Sequence, residues 1–336
     1  MKLLFIFTGG TIGSRVSGDY IVTDENKPYE LIEKYREIFG IAHSLDMIMP
    51  YEELSEQNTG VTVSKLIACV YDAVMGEGDK SKKAEYDGII VMHGTDTLPY
   101  SAAALSYSLG NACVPICMVS SNYPISDDRA NGLYNLHGAI RLMESGNAHR
   151  GVFVSYRNHD GVIYIHRASR LLETAAFSDE YYSVRNEYYG TIVNDTFQKN
   201  ELYKESDDKQ DPIGKVELNN ICDRIARYHV YPGMSFNVDE SVECLLLESF
   251  HSGTINTKLS DYRHFYNTMY KRDVSVYLTG IRKGLSYEST SLYERLNILP
   301  IYDIAPTACY MKLWMLMAAG RKQSADILNL PLGGDV

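Results

Sequence analysis

The chain has 336 residues, enough for about two domains. Its 45% hydrophobic and 22% charged residues are the balance of a globular protein, which excludes a disordered or fibrous chain. With 32 Lys and Arg against 43 Asp and Glu the net charge is −11, so phosphate backbones are repelled and no nucleic-acid partner is expected. Arg150, Arg157, Arg167 and Arg170 are scattered among apolar positions and make no basic patch. The apolar stretches 3–7 and 313–319 fall far short of the roughly 18 residues that span a bilayer, so no membrane partner is expected either. The start of the chain is too short in apolar residues for a signal-peptide core. Six cysteines (69, 113, 117, 222, 244, 309) show no C-x-x-C spacing and read as buried free thiols of a reducing compartment, which makes a cytoplasmic protein the expectation.

In chain order, Leu3–Phe7 is an apolar run that stops at Thr8-Gly9-Gly10-Thr11. Val63, Leu66, Ile67, Val70 and Val74 then repeat at helical spacing, and Gly88–Met92 is a second run ending at His93-Gly94-Thr95-Asp96-Thr97. Val114–Val119 ends at Ser120-Ser121-Asn122-Tyr123-Pro124. Leu133, Leu136, Ile140 and Met143 repeat as a helix, and Gly151–Tyr156 ends at Arg157-Asn158-His159. Unbroken apolar runs suit strands covered on both faces, and their alternation with helices predicts a doubly wound, mostly parallel α/β sheet. A polar stretch at 191–214 reads as a linker, so the larger N-terminal domain is expected over 1–190 and a smaller α/β domain over 215–336. In that second domain strands are expected near 226–231, 242–247 and 274–278, with a helix over Thr307–Ala319.

Ligands of open parallel sheets gather beyond the carboxyl ends of the strands. Two such ends here carry hydroxyls beside glycine, and one adds a carboxylate. Gly9 and Gly10 let the backbone approach a ligand and leave Thr11 uncovered. Thr95 and Asp96 fall at a helix start, where free amides favour an anion or a developing oxyanion. Each segment alone has a plainer reading: a Thr-Gly-Gly-Thr turn is ordinary, and Asp96 could simply cap its helix. No G-x-x-x-x-G-K-[ST] or G-x-G-x-x-G follows the first strand, which counts against a nucleotide site. His93 reads as a packed, hydrogen-bonded side chain rather than a base, and no ligand spacing points to a metal or other cofactor.

Together, Thr8-Gly9-Gly10-Thr11-Ile12 and His93-Gly94-Thr95-Asp96-Thr97 resemble the two signature segments of the bacterial-type L-asparaginase family. The resemblance extends over nearly the whole chain. Ser55-Glu56, Ser121-Asn122-Tyr123-Pro124 and Arg129-Ala130-Asn131-Gly132 are similar to further family segments. Tyr231-Pro232-Gly233-Met234, Glu248–Gly253, Asp303-Ile304 and Lys312-Leu313 resemble its cytoplasmic, type I branch. The resemblance implies hydrolysis of L-asparagine to L-aspartate and ammonia, with Thr11 as nucleophile and Thr95 with Asp96 as the second half of the site. It further implies that Ser55, Glu56 and Asp96 hold the substrate's α-amino and α-carboxyl groups, with Gly10, Gly94 and Asn122 lining the pocket and amides at Thr11 and Thr95 forming the oxyanion hole. Either Tyr20 or Tyr287 would be the tyrosine beside the nucleophile. Homodimers or homotetramers are implied as well, with sites at contacts between copies of the chain.

One position departs from the family pattern. Arg167-Ala168-Ser169-Arg170 stands where the family shows Arg-x-x-Lys, so Arg170 would replace a lysine of the site. A buried lysine can lose its proton, whereas arginine stays charged. Loss of such a base costs roughly 10²- to 10⁴-fold in rate. Three readings follow: an asparagine hydrolase, an amino-acid-binding protein with weakened chemistry, or a hydrolase of another amide such as glutamine or a modified asparagine. Amidotransferase relatives that act with tRNA are disfavoured, since they carry extra RNA-binding domains and this chain is acidic.

Overall fold

The computed structural model describes residues 1–17, 20–23, 27–40, 43–76, 85–110, 112–218, 222–284 and 286–336. The strands are β1 (Lys2–Phe7), β2 (Ser14–Ser17), β3 (Tyr20–Thr23), β4 (Ser44–Ile48), β5 (Gly88–Met92), β6 (Pro115–Val119), β7 (Gly151–Arg157), β8 (Ile163–Arg167), β9 (Gly190–Val193) and β10 (Thr196–Lys199). After them come β11 (Ile225–His229), β12 (Cys244–Glu248), β13 (Ser275–Ile281) and β14 (Ile298–Tyr302). The helices are α1 (Lys27–Phe39), α2 (Gly60–Met75), α3 (Leu98–Leu109), α4 (Gly132–Glu144), α5 (Ser260–Lys271), α6 (Pro306–Ala318) and α7 (Ala325–Leu328).

Eight strands form one sheet in the order β10-β9-β8-β7-β6-β5-β1-β4. β4, β1, β5, β6 and β7 run parallel, and β8, β9 and β10 continue antiparallel. Alternation along β1 sends Leu4 and Ile6 to one core and Leu3, Phe5 and Phe7 to the other. The first core is covered by α2 and α3, the second by α1 and α4. This is the doubly wound α/β arrangement, and the order in which strands are added reverses between β1 and β5, with β4 on one side and β6 and β7 on the other. A four-stranded parallel sheet, β11-β12-β13-β14, makes the smaller second layer. α6 lies between the two parts: Ala308, Met311 and Met315 share a core with Ala102, Ala103 and Leu105 of α3. Because α6 closes its outer side, α3 has only Tyr100 partly open to solvent, and its small residues let the two helices approach.

The expected runs and helices appear within a few residues of their expected limits. The expected linker at 191–214 does not hold in full. Its first part completes β9 and forms β10, which add an edge hairpin to the large sheet. Asn194 and Asp195 both take positive φ (48° and 61°), the geometry of a two-residue hairpin turn. Only alternate residues of such an edge face a core, here Ile192 and Phe197, so the composition looks polar. Residues 200–214 have no regular element but stay on the first domain, as Ile213 N donates to Tyr107 O at 2.8 Å. The end of the chain also returns there: Leu332 and Asp335 are buried, and Tyr107 Oη donates to Asp335 at 3.1 Å. Cys69, Cys113, Cys117, Cys244 and Cys309 are free thiols as expected, although Cys69 is half-buried and Cys113 exposed rather than buried, and Cys222 has no described side chain. Among the described residues no helix is long and apolar enough to cross a membrane.

Candidate active site

β1 and β5 are neighbours in register, Phe7 opposite Met92, so the segments that follow them emerge side by side at the reversal point. Thr8 is tied there by its amide and hydroxyl, both donating to Met92 O (3.2 and 2.8 Å). Gly9 pairs with Glu53, and Gly10 N donates to Glu53 O at 3.0 Å. Gly10 has φ 76°, and a Cβ on it would collide with the backbone of Gly94; one on Gly94 would collide with Ser55. The two glycine-containing loops therefore touch backbone to backbone. Thr11 follows one of these glycines and Thr95 the other, both partly open to solvent. Thr11 opens a short 3-10 turn, Thr11–Gly13, whose Ile12 is buried in the second core and anchors it.

Ser55 is buried in the 3-10 turn Ser55–Gln57, and its hydroxyl accepts from Asp96 N at 3.2 Å and lies 3.4 Å from Asp96 Oδ2. Glu56 and Asp96 are exposed. Helix α3 begins after Thr97, so Asp96 sits before the cap rather than on it, and its exposed carboxylate lies beside Ser55 Oγ. Thr97 Oγ1 donates to Ser55 O at 3.0 Å and accepts from Asn58 Nδ2 at 2.9 Å. His93 is fully buried, with Nδ1 2.8 Å from Gly94 O and Nε2 3.3 Å from Asn58 Nδ2. Burial pushes its pKa down to about 4, so the ring is neutral at physiological pH and serves as packing. Asn122 closes the third strand-end loop: its Oδ1 accepts from Asn131 N at 3.1 Å, and Asn131 Oδ1 accepts from Asn122 N at 3.0 Å. A Cβ on Gly132 would touch both Ser121 and Ile12, which places this loop beside the first motif.

Two expected residues, Tyr287 and Arg170, stand apart from this group, and a third, Tyr20, is described only in its backbone. Tyr20 begins β3 opposite Ser17, in the hairpin directly after the Thr11 turn, and its side chain lies outside the described part of the structure. Tyr287 is exposed in the second domain, on a cavity of about 460 Å³ lined also by Ile281, Tyr293, Leu299 and Tyr302, none of them from the two motifs.

Arg170 is not brought to the crevice. β8 runs antiparallel to β7, and Arg167 pairs with Phe153 near the start of β7, at the opposite edge of the sheet. From there the buried Arg170 guanidinium donates to Gly334 O (2.9 Å), Lys204 O (3.0 Å) and Val336 O (2.6 Å), with Glu187 at 3.7 Å. A strand that reverses carries the residues after it away from the site. Sequence spacing alone does not report that reversal. Two residues at the crevice were not anticipated, Asn58 and Tyr181; Tyr181 Oη donates to Thr95 O at 2.6 Å. Asn58 lies two residues beyond Glu56 and was open to the sequence, whereas Tyr181 is 86 residues from Thr95 and gives no local signal.

The model of the asparaginase family's N-terminal domain matches residues 2–204. A glutamyl-tRNA(Gln) amidotransferase component from Thermococcus kodakarensis is 26% identical over 92% of this chain and 70% of that protein. An L-asparaginase of the same organism is 28% identical, but over 46% of this chain and 44% of its own length. Among solved structures, the thermostable L-asparaginase from Thermococcus kodakarensis superposes with a TM-score of 0.75 at 18% identity, covering 100% of this chain and 99% of that one. L-asparaginase I from Vibrio cholerae follows with a TM-score of 0.69 at 20% identity, over 97% and 95%. These structures share the fold, and the matched domain spans both glycine-hydroxyl segments and the crevice between them. The chain belongs to the asparaginase family.

Proposed function

We propose that the protein is an amidohydrolase that releases ammonia from the side-chain amide of L-asparagine. The observation that supports this reading is the backbone contact of Gly10 with Gly94, which brings together the chain segments that carry Thr11 and the Thr95–Asp96 pair. Thr11 Oγ attacks the amide carbon, the C–N bond breaks, and ammonia leaves with the transferred proton. The threonyl ester is then cleaved by a water molecule, giving aspartate and restoring the hydroxyl. Amides at Thr11 and Thr95 face the developing oxyanion. Tyr20, in the hairpin next to Thr11, is the residue we assign to take its proton. Arg170, at the far edge of the sheet, has no role in this scheme, and neither does Tyr287 within one chain. Glu56 and the Asp96 carboxylate hold the α-ammonium, Ser55 holds the α-carboxylate, and Asn122 shapes the side of the pocket. The scheme requires no metal or cofactor. A cytoplasmic homodimer or homotetramer is the assembly that accompanies this reading.

A second reading has a specific support: the amidotransferase component matches almost the whole chain, farther than the L-asparaginase sequence does. Such a protein would pass ammonia to a partner protein. The net charge of −11 weighs against direct RNA contact by this chain. Ammonia release by the purified chain from L-asparagine, L-glutamine and modified asparagines, compared by kcat/KM, separates the readings. Preference for L-asparagine supports the first; preference for glutamine, or turnover only with added partner, supports the second. Stabilisation by aspartate without ammonia release from any amide would sink both.

A further inference from the structure

The peptide unit joining Thr95 to Asp96 is gripped from both sides. Its carbonyl accepts from Tyr181 Oη at 2.6 Å, and its N–H donates to Ser55 Oγ at 3.2 Å. Hydrogen bonds on the two ends of one amide polarise it and reinforce each other. They also fix the rotation of the peptide plane, and with it the directions in which the Thr95 hydroxyl and the Asp96 carboxylate leave the backbone.

Tyr181 is itself immobilised before it makes that bond. Its N–H donates to Asn158 Oδ1 (3.1 Å) and its carbonyl accepts from Asn158 Nδ2 (2.9 Å). Asn158 directly follows β7 and so stands at the same sheet edge as the two motifs. The ring meets Tyr156 edge-on, with centroids 4.7 Å apart and planes at 76°. Only 2% of Tyr181 is exposed. The segment that carries it starts after Arg170 at the lower edge and climbs back to the crevice. Near its start Glu173 accepts from Thr307 Oγ1 at 2.7 Å and from both terminal nitrogens of Arg227 at 3.2 Å, so the second domain holds it. The same Arg227 donates to Tyr100 Oη at 2.6 Å, in the first turn of α3. The returning segment is thus bolted at Glu173 and delivers a rigid hydroxyl at Tyr181.

We propose that Tyr181 is a positioning residue for Thr95 and Asp96: its hydroxyl sets the orientation of their shared peptide, and it reaches no substrate atom. The kinetic part of this inference rests on the amidohydrolase reading; the structural part does not. The test is Tyr181→Phe in the full chain, which keeps the ring and its contact with Tyr156. Tyr182→Phe is the control, since that hydroxyl bonds Glu180 in solvent. For Tyr181→Phe we expect kcat for ammonia release to fall about tenfold, with KM held within about twofold, because misplacement of reacting groups affects the chemical step. We also expect hydrogen exchange at the Asp96 amide to quicken by about fivefold or more. The control should change neither. An unchanged kcat in an otherwise active protein, or a rise in KM alone, overturns the proposal. If the parent chain releases ammonia from no amide, the functional reading fails by itself. Exchange then decides: faster at Asp96 supports the positioning role, unchanged overturns it.

Discussion

At the carboxyl edge of the large sheet, the loops after β1 and β5 are built from glycine and small hydroxyl residues and touch through Gly10 and Gly94. At the matching edge of the small sheet, Tyr231, Pro232, Met234 and Phe250 follow β11 and β12 around a cavity of about 250 Å³. Both edges come from parallel strands and both make a crevice. The first sets two glycine backbones against each other with Thr11, Thr95 and Asp96 beside them; the cavity of the second is lined mainly by aromatic and apolar side chains. Topology supplies the hollow, and the size of the residues beside it decides whether chemistry can be placed there.

Four measurements break or sharpen that contrast. Thr11→Ala should lower ammonia release by roughly 10³-fold or more, about 4 kcal/mol of barrier, with an unchanged urea midpoint. A parental rate in that variant would remove Thr11 from the mechanism. Gly10→Ala should cost about 3 kcal/mol or more in urea unfolding, because a positive φ and a backbone collision act together.

The third concerns His93, which is neutral when buried with a pKa near 4 but titrates near 6.5 when unfolded. The unfolded chain then binds the extra proton, so stability falls as pH drops from about 6.5 to about 4, by up to about 1.4 kcal/mol per pH unit. The buried His166, pushed down to about 3, acts with the same sign. Urea midpoints over that range should therefore slope less in His93→Asn than in the parent, and equal slopes would refute the assignment. The smallest effect belongs to the aromatic edge. Gly233 has φ 78° but open space where a Cβ would go, so Gly233→Ala should cost only about 1 kcal/mol and leave ammonia release unchanged. Equal losses at Gly10 and Gly233 would show that backbone strain alone, and no loop contact, distinguishes the two edges.

Much of the first edge was legible in the chain because its signals are local. An apolar run such as Gly88–Met92 must be a buried strand, and glycine beside threonine at its end marks where backbone can be approached. The helices over 63–74 and 133–143 show in spacing for the same reason. The edge hairpin at β9 and β10 was hidden, since a strand with one wet face has the composition of a loop. Arg170 shows the limit most sharply. The family resemblance set it at a site position, yet the antiparallel return of β8 carries it to the lower edge, where it binds Gly334 and Val336.

The amino-acid sequence by itself determined the alternation of buried strands and amphipathic helices, the places where glycine opens the backbone, and the identity of the hydroxyl and carboxylate groups at two strand ends. Those follow from side-chain size and polarity over a few neighbouring residues. The tertiary structure decided the rest: that β1 and β5 lie side by side, that Tyr181 reaches Thr95 across 86 residues, and that Arg170 faces the end of the chain. Strand order and direction are set by how whole layers pack, a free energy shared among distant residues, and no short window of sequence contains it.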